Sequence, residues 1–275
     1  MNKKVDHFIY GAAYYDEYTK TDRLDLDMEL MARAGLNTIR IAESTWSTEE
    51  PSPGEFDFSH VTRVIEAAAD HGIDVIVGTP TYAVPPWLAA MDPGVLDGNL
   101  FGPRQNMDIT NPTYLFYAKR IIKKLVSVTA GYSNVIGYQI DNETKHLNAC
   151  SDRVVDGFRK WLKNRFGKIE ALNDAYGMRH WSNSAASFEE LPDPSGSVNA
   201  SYIGAFEEYR RELACDFLSW QADMIGEYLR DDQFITHNFD YSWRELSRDG
   251  QQMGYSGGLQ PDINQYEVSK FLDVV

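Results

Sequence analysis

Cysteine is almost missing from this chain. Cys150 and Cys215 are too few and too far apart in sequence for a disulfide framework or a thiolate metal site, so a reducing, cytoplasmic setting is expected. Positive charge is scarce as well. The 26 Lys and Arg face 41 Asp and Glu, and a formal net charge of −15 would repel nucleic acid or an anionic membrane surface. No apolar run approaches transmembrane length, and the N-terminus MNKKVDHFIYG lacks the apolar stretch of a signal peptide. The sequons at Asn142 and Asn199 are therefore expected to carry no glycan. None of the six histidines pairs with another at i, i+2 or i, i+4, and HExxH, GxxxxGK, GxGxxG and a serine nucleophile elbow are all lacking. The expectation is a protein with no metal and no cofactor that acts on a neutral substrate. The lack of internal repeats and low-complexity tracts argues against a solenoid.

What is abundant points the same way. Hydrophobic residues make up 43% of the 275, enough to fill the core of one barrel-sized unit. Aromatics reach 13%, with 6 Trp and 16 Tyr. Sugar rings stack on such flat apolar faces, although a core or interface place is the commoner fate of any single aromatic.

Short β-branched runs at 7–14, 38–43, 74–79, 135–141 and 234–238 alternate with amphipathic helical patterns, as in parallel strands joined by helical crossovers. A sixth strand is expected at 272–275. Helices are read at 22–35, closing on Gly35, at 59–72, with Ser59 as N-cap and Gly72 at its end, and at 113–129, 151–166 and 202–230. The connection 144–232 is far longer than the about 10–12 residues a crossover needs. It is read as a helical insertion that walls a cleft or forms an oligomer contact. A closed barrel takes eight strands, and five or six are legible. The expected fold is α/β: the N-terminal portion of a (β/α)8 TIM barrel reaching about its sixth strand, one unit over 1–275 with the insertion inside it.

The run VIGYQIDNE at 135–143 carries the chemistry, because an apolar strand that ends in Asn142-Glu143 delivers an amide and a carboxyl where barrels build active sites. Glycoside hydrolysis needs one carboxylic acid to protonate the leaving oxygen and a second carboxylate on the other face of the sugar. Glu143 is the candidate acid, since the end of an apolar strand is a partly desolvated place that suits a proton donor. The same residues also fit a helix start, with Asp141 or Asn142 as N-cap and Glu143 in the first turn.

Several segments in order resemble glycoside hydrolase family 42, the β-galactosidases of the retaining (β/α)8 clan. They are YYDEY (14–18), LNTIRIAESTWSTEEPSPGEFDF (36–58), TPTYAVPPWL (79–88), GPRQNMDITNPTY (102–114), IGYQIDNETKH (136–146), RFGKIEALNDAYGMRHWS (165–182) and THNF (236–239). The resemblance implies a substrate with a terminal β-D-galactoside, Glu143 as acid/base and Asn142 as donor to the sugar 2-hydroxyl. It also implies that Arg104 lines the galactose subsite and that the assembly is a homotrimer. Asn238, in THNF, helps shape the pocket. Glu43 ends the second strand and orients Arg104 or a hydroxyl. Trp46 and Trp87 follow strands two and three, where each stacks on sugar or anchors a loop. Tyr14 and Tyr15 end strand one, and one of the two should face the helices.

The sequence departs from the family pattern twice. Some members hold zinc in a cysteine cluster; here Asp108 stands near the first position and only Cys150 remains of the rest, so no zinc is expected. The family nucleophile is a glutamate at the end of strand seven, and no glutamate here matches it. Glu207, Glu208, Glu212, Glu245 and Glu267 are read as solvated, and His146 and His237 as structural histidines. The 275-residue chain is expected to be inactive alone. An α-L-arabinopyranosidase, another retaining glycosidase on this scaffold, and a non-catalytic carbohydrate-binding fragment are the alternatives.

Overall fold

The computed structural model describes residues 5, 7–96, 104–146, 149–239 and 263–275. Five parallel strands form one sheet in chain order: β1 (Gly11–Ala13), β2 (Thr38–Ile41), β3 (Asp74–Gly78), β4 (Val135–Gln139) and β5 (Phe234–Thr236). Consecutive strands that pair in parallel with helices between them are the repeating unit of an α/β barrel. At 272–275, where a sixth strand is expected, the described residues show an isolated bridge rather than a named strand. Val274 bridges Thr236 in parallel, and the Asp273 N–H donates to the Ile235 carbonyl at 2.9 Å.

The helices in chain order are α1 (Leu24–Arg33), α2 (Trp46–Glu49), α3 (Ser59–Asp70), α4 (Pro86–Met91), α5 (Pro112–Thr129), α6 (Asp152–Phe166), α7 (Ile169–Ala175), α8 (Ala200–Gly226) and α9 (Gln265–Val268). After α1 the chain turns at Gly35, φ +83°, and the Leu36 N–H reaches back to the Met31 carbonyl at 3.0 Å. Gly72, φ +68°, ends α3 in the same way. These are the left-handed C′ positions that favour glycine. The start of α3 differs from expectation: Ser59 is its first residue, and the Asp57 carboxylate takes the Ser59 N–H at 2.9 Å. Helix α5 begins on Pro112, capped by Asn111, whose Oδ1 accepts from the Thr113 and Tyr114 N–H groups.

Along β2 and β3, Ile39, Ile41, Val75 and Val77 face the helices and bury against Leu24, Met28, Val64, Ile65, Ile122 and Leu125. Alternation sends Arg40 and Ile76 to the opposite, barrel-interior side. Among the described residues the connection from β4 to β5 holds three α-helices. A second core forms there around Phe158, Leu162, Leu172, Tyr202, Phe206 and Tyr209. Helix α8 belongs to both cores, because Tyr202 to Tyr209 pack in the second while Ala214, Leu218, Ala222 and Ile225 pack against the sheet. The last helix before β5 is thus a true crossover, and the extra material is α6, α7 and the loop to α8.

Candidate active site

Every residue of the candidate site follows the C-terminal end of a strand, except Arg40 and Gln139, which lie within β2 and β4. The backbone leaves the strands under strain. Ala42 (φ +76°), Gln105 (+52°), Asp141 (+47°) and Glu143 (+49°) are left-handed without being glycine, and each is at or beside a predicted site residue. Such conformations cost of order 1–3 kcal/mol each and persist only where surroundings enforce them. At the β4 turn the enforcement is visible. The buried Asp141 carboxylate accepts from the Thr81 hydroxyl at 2.6 Å and from the Thr144 hydroxyl, and the Asp141 N–H donates to Thr79 Oγ1 at 2.7 Å. Thr79 in turn donates to Gln221 of α8 at 2.7 Å. Burial pushes the Asp141 carboxyl up to about 6, against those two hydroxyls, which pull it down. No helix starts here, so the capping alternative is replaced by a strained, hydrogen-bonded turn.

Glu143 and Asn142 leave this turn into one network. Arg104 Nη2 lies 3.3 Å from Glu143 Oε2, with Gln105 Nε2 3.4 Å from the same oxygen. The Arg104 guanidinium sits 5.8 Å above the Tyr82 ring. Asn238 brackets the pair: its Oδ1 accepts the Glu143 N–H at 3.2 Å and its Nδ2 donates to Asn142 Oδ1 at 2.8 Å. Glu43, wholly buried, takes the Tyr15 hydroxyl at 2.5 Å and Arg40 Nη2 at 2.9 Å on Oε1. Its Oε2 is buried without a hydrogen-bond partner among the described residues. Burial, with the Glu43 carboxylate beside it, pushes the Tyr15 phenol up to about 12. Tyr14 goes the other way, its hydroxyl 3.4 Å from Asp27 of α1, which settles which of the two tyrosines faces the helices.

The structure thus brings together Glu143, Asn142, Arg104 and Asn238, and links Glu43 to them through Arg40 and then Gln139. The expectation that Glu43 orients Arg104 is corrected: its partners are Arg40 and Tyr15. Trp46 is not a stacking surface. It is fully buried, and its Nε1 donates to Glu50 at 3.1 Å. Trp87 Nε1 donates to the Glu50 carbonyl at 2.8 Å, and its ring packs edge-on to Tyr117. Both tryptophans anchor the loop that follows α2. Glu50, paired with Arg120 of α5, is the hub that holds them.

Reading the sequence missed Arg40 and Gln139. Both are polar residues on the inward phase of strands whose outward phase is apolar, a signal that period-2 alternation contains. Asp108 accepts from Ser151 at 2.8 Å and lies 3.7 Å from Arg153, so it fastens the loop after Arg104 to the start of α6 through a hydrogen bond and an ion pair. His237 Nδ1 is 2.7 Å from the Ile140 carbonyl, and burial pushes the ring down to about 4. Glu207 is not solvated as expected: it is half-buried against Arg210 and His146. Glu245 lies outside the described residues. Asn142 is buried, and Asn199 uses its side chain to cap α8, so each sequon asparagine has internal partners.

Solved structures that share this fold include glycoside hydrolase 42 α/β barrels. The β-galactosidase of Halorubrum lacusprofundi superposes with a TM-score of 0.84 at 30% identity over 97% of this chain and 39% of that one. The β-galactosidase of Rahnella sp. R3 shares the fold, TM-score 0.85 at 24% identity, over 98% and 39%. The glycoside hydrolase 42 family model, described as beta-galactosidase, matches residues 13–256, and the chain belongs to that family. Among curated relatives, Beta-galactosidase Bga of Halorubrum lacusprofundi is 31% identical over 96% of this chain and 37% of its own length, and the Beta-galactosidase of Thermus thermophilus is 33% identical over 83% and 37%. The chain therefore spans well under half the length of these relatives.

Proposed function

We infer that this chain is the acid/base half of a retaining β-galactosidase acting on terminal β-D-galactosides. The observation that carries the reading is the Asn142-Glu143 pair on an enforced turn at the end of β4, with Arg104 on the acid, in a glycoside hydrolase 42 chain whose relatives are named β-galactosidases. Glu143 protonates the glycosidic oxygen and later takes a proton from water. Asn142 donates to the 2-hydroxyl, and the bond tightens as the oxocarbenium-like state forms. The sugar draws Arg104 onto its own hydroxyls and frees Glu143 Oε2 for the leaving oxygen. The unpaired Oε2 of Glu43 accepts a further hydroxyl, while Asn238 holds the Asn142-Glu143 pair in place. The nucleophile comes from a part of the protein outside this chain, and all 275 residues are one portion of the catalytic barrel. A cytoplasmic homotrimer without metal is the form that the family resemblance suggests.

The test is made on the complete protein with aryl β-galactosides of graded leaving-group pKa. Glu143→Gln is expected to lose about 10²-fold or more on poor leaving groups and far less on nitrophenolates. Equal loss across the series would remove the acid role. An α-L-arabinopyranoside in the same panel separates the nearer alternative, and the first-formed anomer reports retention.

A further inference from the structure

Asn142 can serve a sugar as donor or as acceptor, depending on which way its carboxamide is turned. Two chains of hydrogen bonds decide this, and each starts from a group whose role cannot reverse. On one side the Glu143 backbone N–H can only donate, at 3.2 Å, so the Asn238 atom it meets is the oxygen. The other Asn238 atom is then the amide nitrogen, and the Asn142 atom 2.8 Å from it must be Oδ1. On the other side the Arg40 guanidinium can only donate, at 2.8 Å, so it meets Gln139 Oε1. Gln139 Nε2 therefore faces the Asp141 carbonyl at 2.8 Å, which can only accept, and Asn142 Oδ1 at 3.3 Å. The two chains come from different strands and agree.

We propose that Arg40 and Gln139, together with Asn238, are positioning residues that lock the Asn142 carboxamide with its oxygen engaged by two donors and its NH2 turned to the ligand. The site then offers a donor only at this point and selects a ligand that brings an acceptor oxygen. This deepens the galactoside reading and rests on it, because it makes the 2-hydroxyl accept from the protein. Glu43 steadies the far end of the lock through Arg40.

Gln139→Glu keeps size and the Arg40 partner but replaces the donor facing Asn142 with an acceptor. Galactose and 2-deoxygalactose binding to the full chain are measured by calorimetry for parent and variant. The parent is expected to prefer galactose roughly ten- to a hundredfold, the discrimination one buried hydrogen bond gives. In the variant that preference falls to within about twofold, while 2-deoxygalactose affinity is kept. An unchanged preference, or equal loss for both sugars, overturns the proposal. Gln139→Met removes the donor without adding an acceptor, and a partial loss of preference is expected from it. Neutron diffraction of the deuterated parent reads the lock without sugar: deuterium on the Asn142 atom facing Asn238 overturns it. A parent that binds neither sugar counts against the galactoside reading alone, since the neutron map still decides the lock.

Discussion

Glu49 is an acid whose charge the fold tolerates poorly. Thr45 donates to its Oε1 at 2.8 Å, its Oε2 is buried without a partner among the described residues, and burial pushes the carboxyl up from 4.5 to about 8. A carboxyl with a raised folded-state pKa binds its proton more tightly when folded. Its contribution to stability is therefore full below about pH 4.5 and is lost as pH rises towards 8, at a limiting slope of roughly 1.4 kcal/mol per unit. Glu49→Gln should flatten that slope and raise the urea midpoint at pH 8 above the parent's. Midpoints measured from pH 5 to 9 check it; parallel profiles would show that Glu49 ionises without cost. The residue beside it, Glu50, meets its charge with Arg120 and the Trp46 indole, so adjacent acids in one helical turn have opposite fates. Nothing in the local sequence TWSTEEP separates the two.

Among the elements, close approach is what positions the site. A Cβ on Gly78, at the end of β3, would stand 2.5 Å from the Glu43 Cβ at the end of β2, so glycine there lets the carboxylate reach Arg40 and Tyr15. A Cβ on Gly157 of α6 would meet the Tyr209 hydroxyl of α8 at 2.0 Å, far from the sheet's open face. Gly78→Ala and Gly157→Ala are each expected to cost about 1–3 kcal/mol in urea denaturation, the range for overpacking. Only Gly78→Ala should weaken galactose binding. Loss of binding in both would mean that the second core also shapes the site. Element positions were largely legible, because apolar periodicity is local. Two of the boundaries that moved have local causes: β2 stops at Ile41 because Ala42 turns left-handed, and α3 includes Ser59, whose N–H the Asp57 carboxylate accepts.

At the scale of the molecule, α8 ties the barrel core to the second core. Hydrolysis with retention needs a nucleophile about 5 Å from the acid, whereas binding needs only the hydroxyl contacts. The 275-residue chain is thus expected to bind galactose and to release no nitrophenol. Turnover by this chain, measured with an aryl β-galactoside, would place the nucleophile within it and revise the division of roles.

The amino-acid sequence alone determined the alternation of strand and helix, the family, and the pairing of an amide with an acid at 142 and 143, because each rests on neighbours along the chain. Tertiary structure decided the rest. Trp46 and Trp87 became loop anchors because Glu50 captures both indoles, and Tyr15 rather than Tyr14 joined the site. Arg40 meets Gln139 across 99 residues and Asn142 meets Asn238 across 96, and only the pairing of the strands into one sheet brings them within hydrogen-bond reach. Which way an amide faces is a property of its partners, and here those partners are set by the fold.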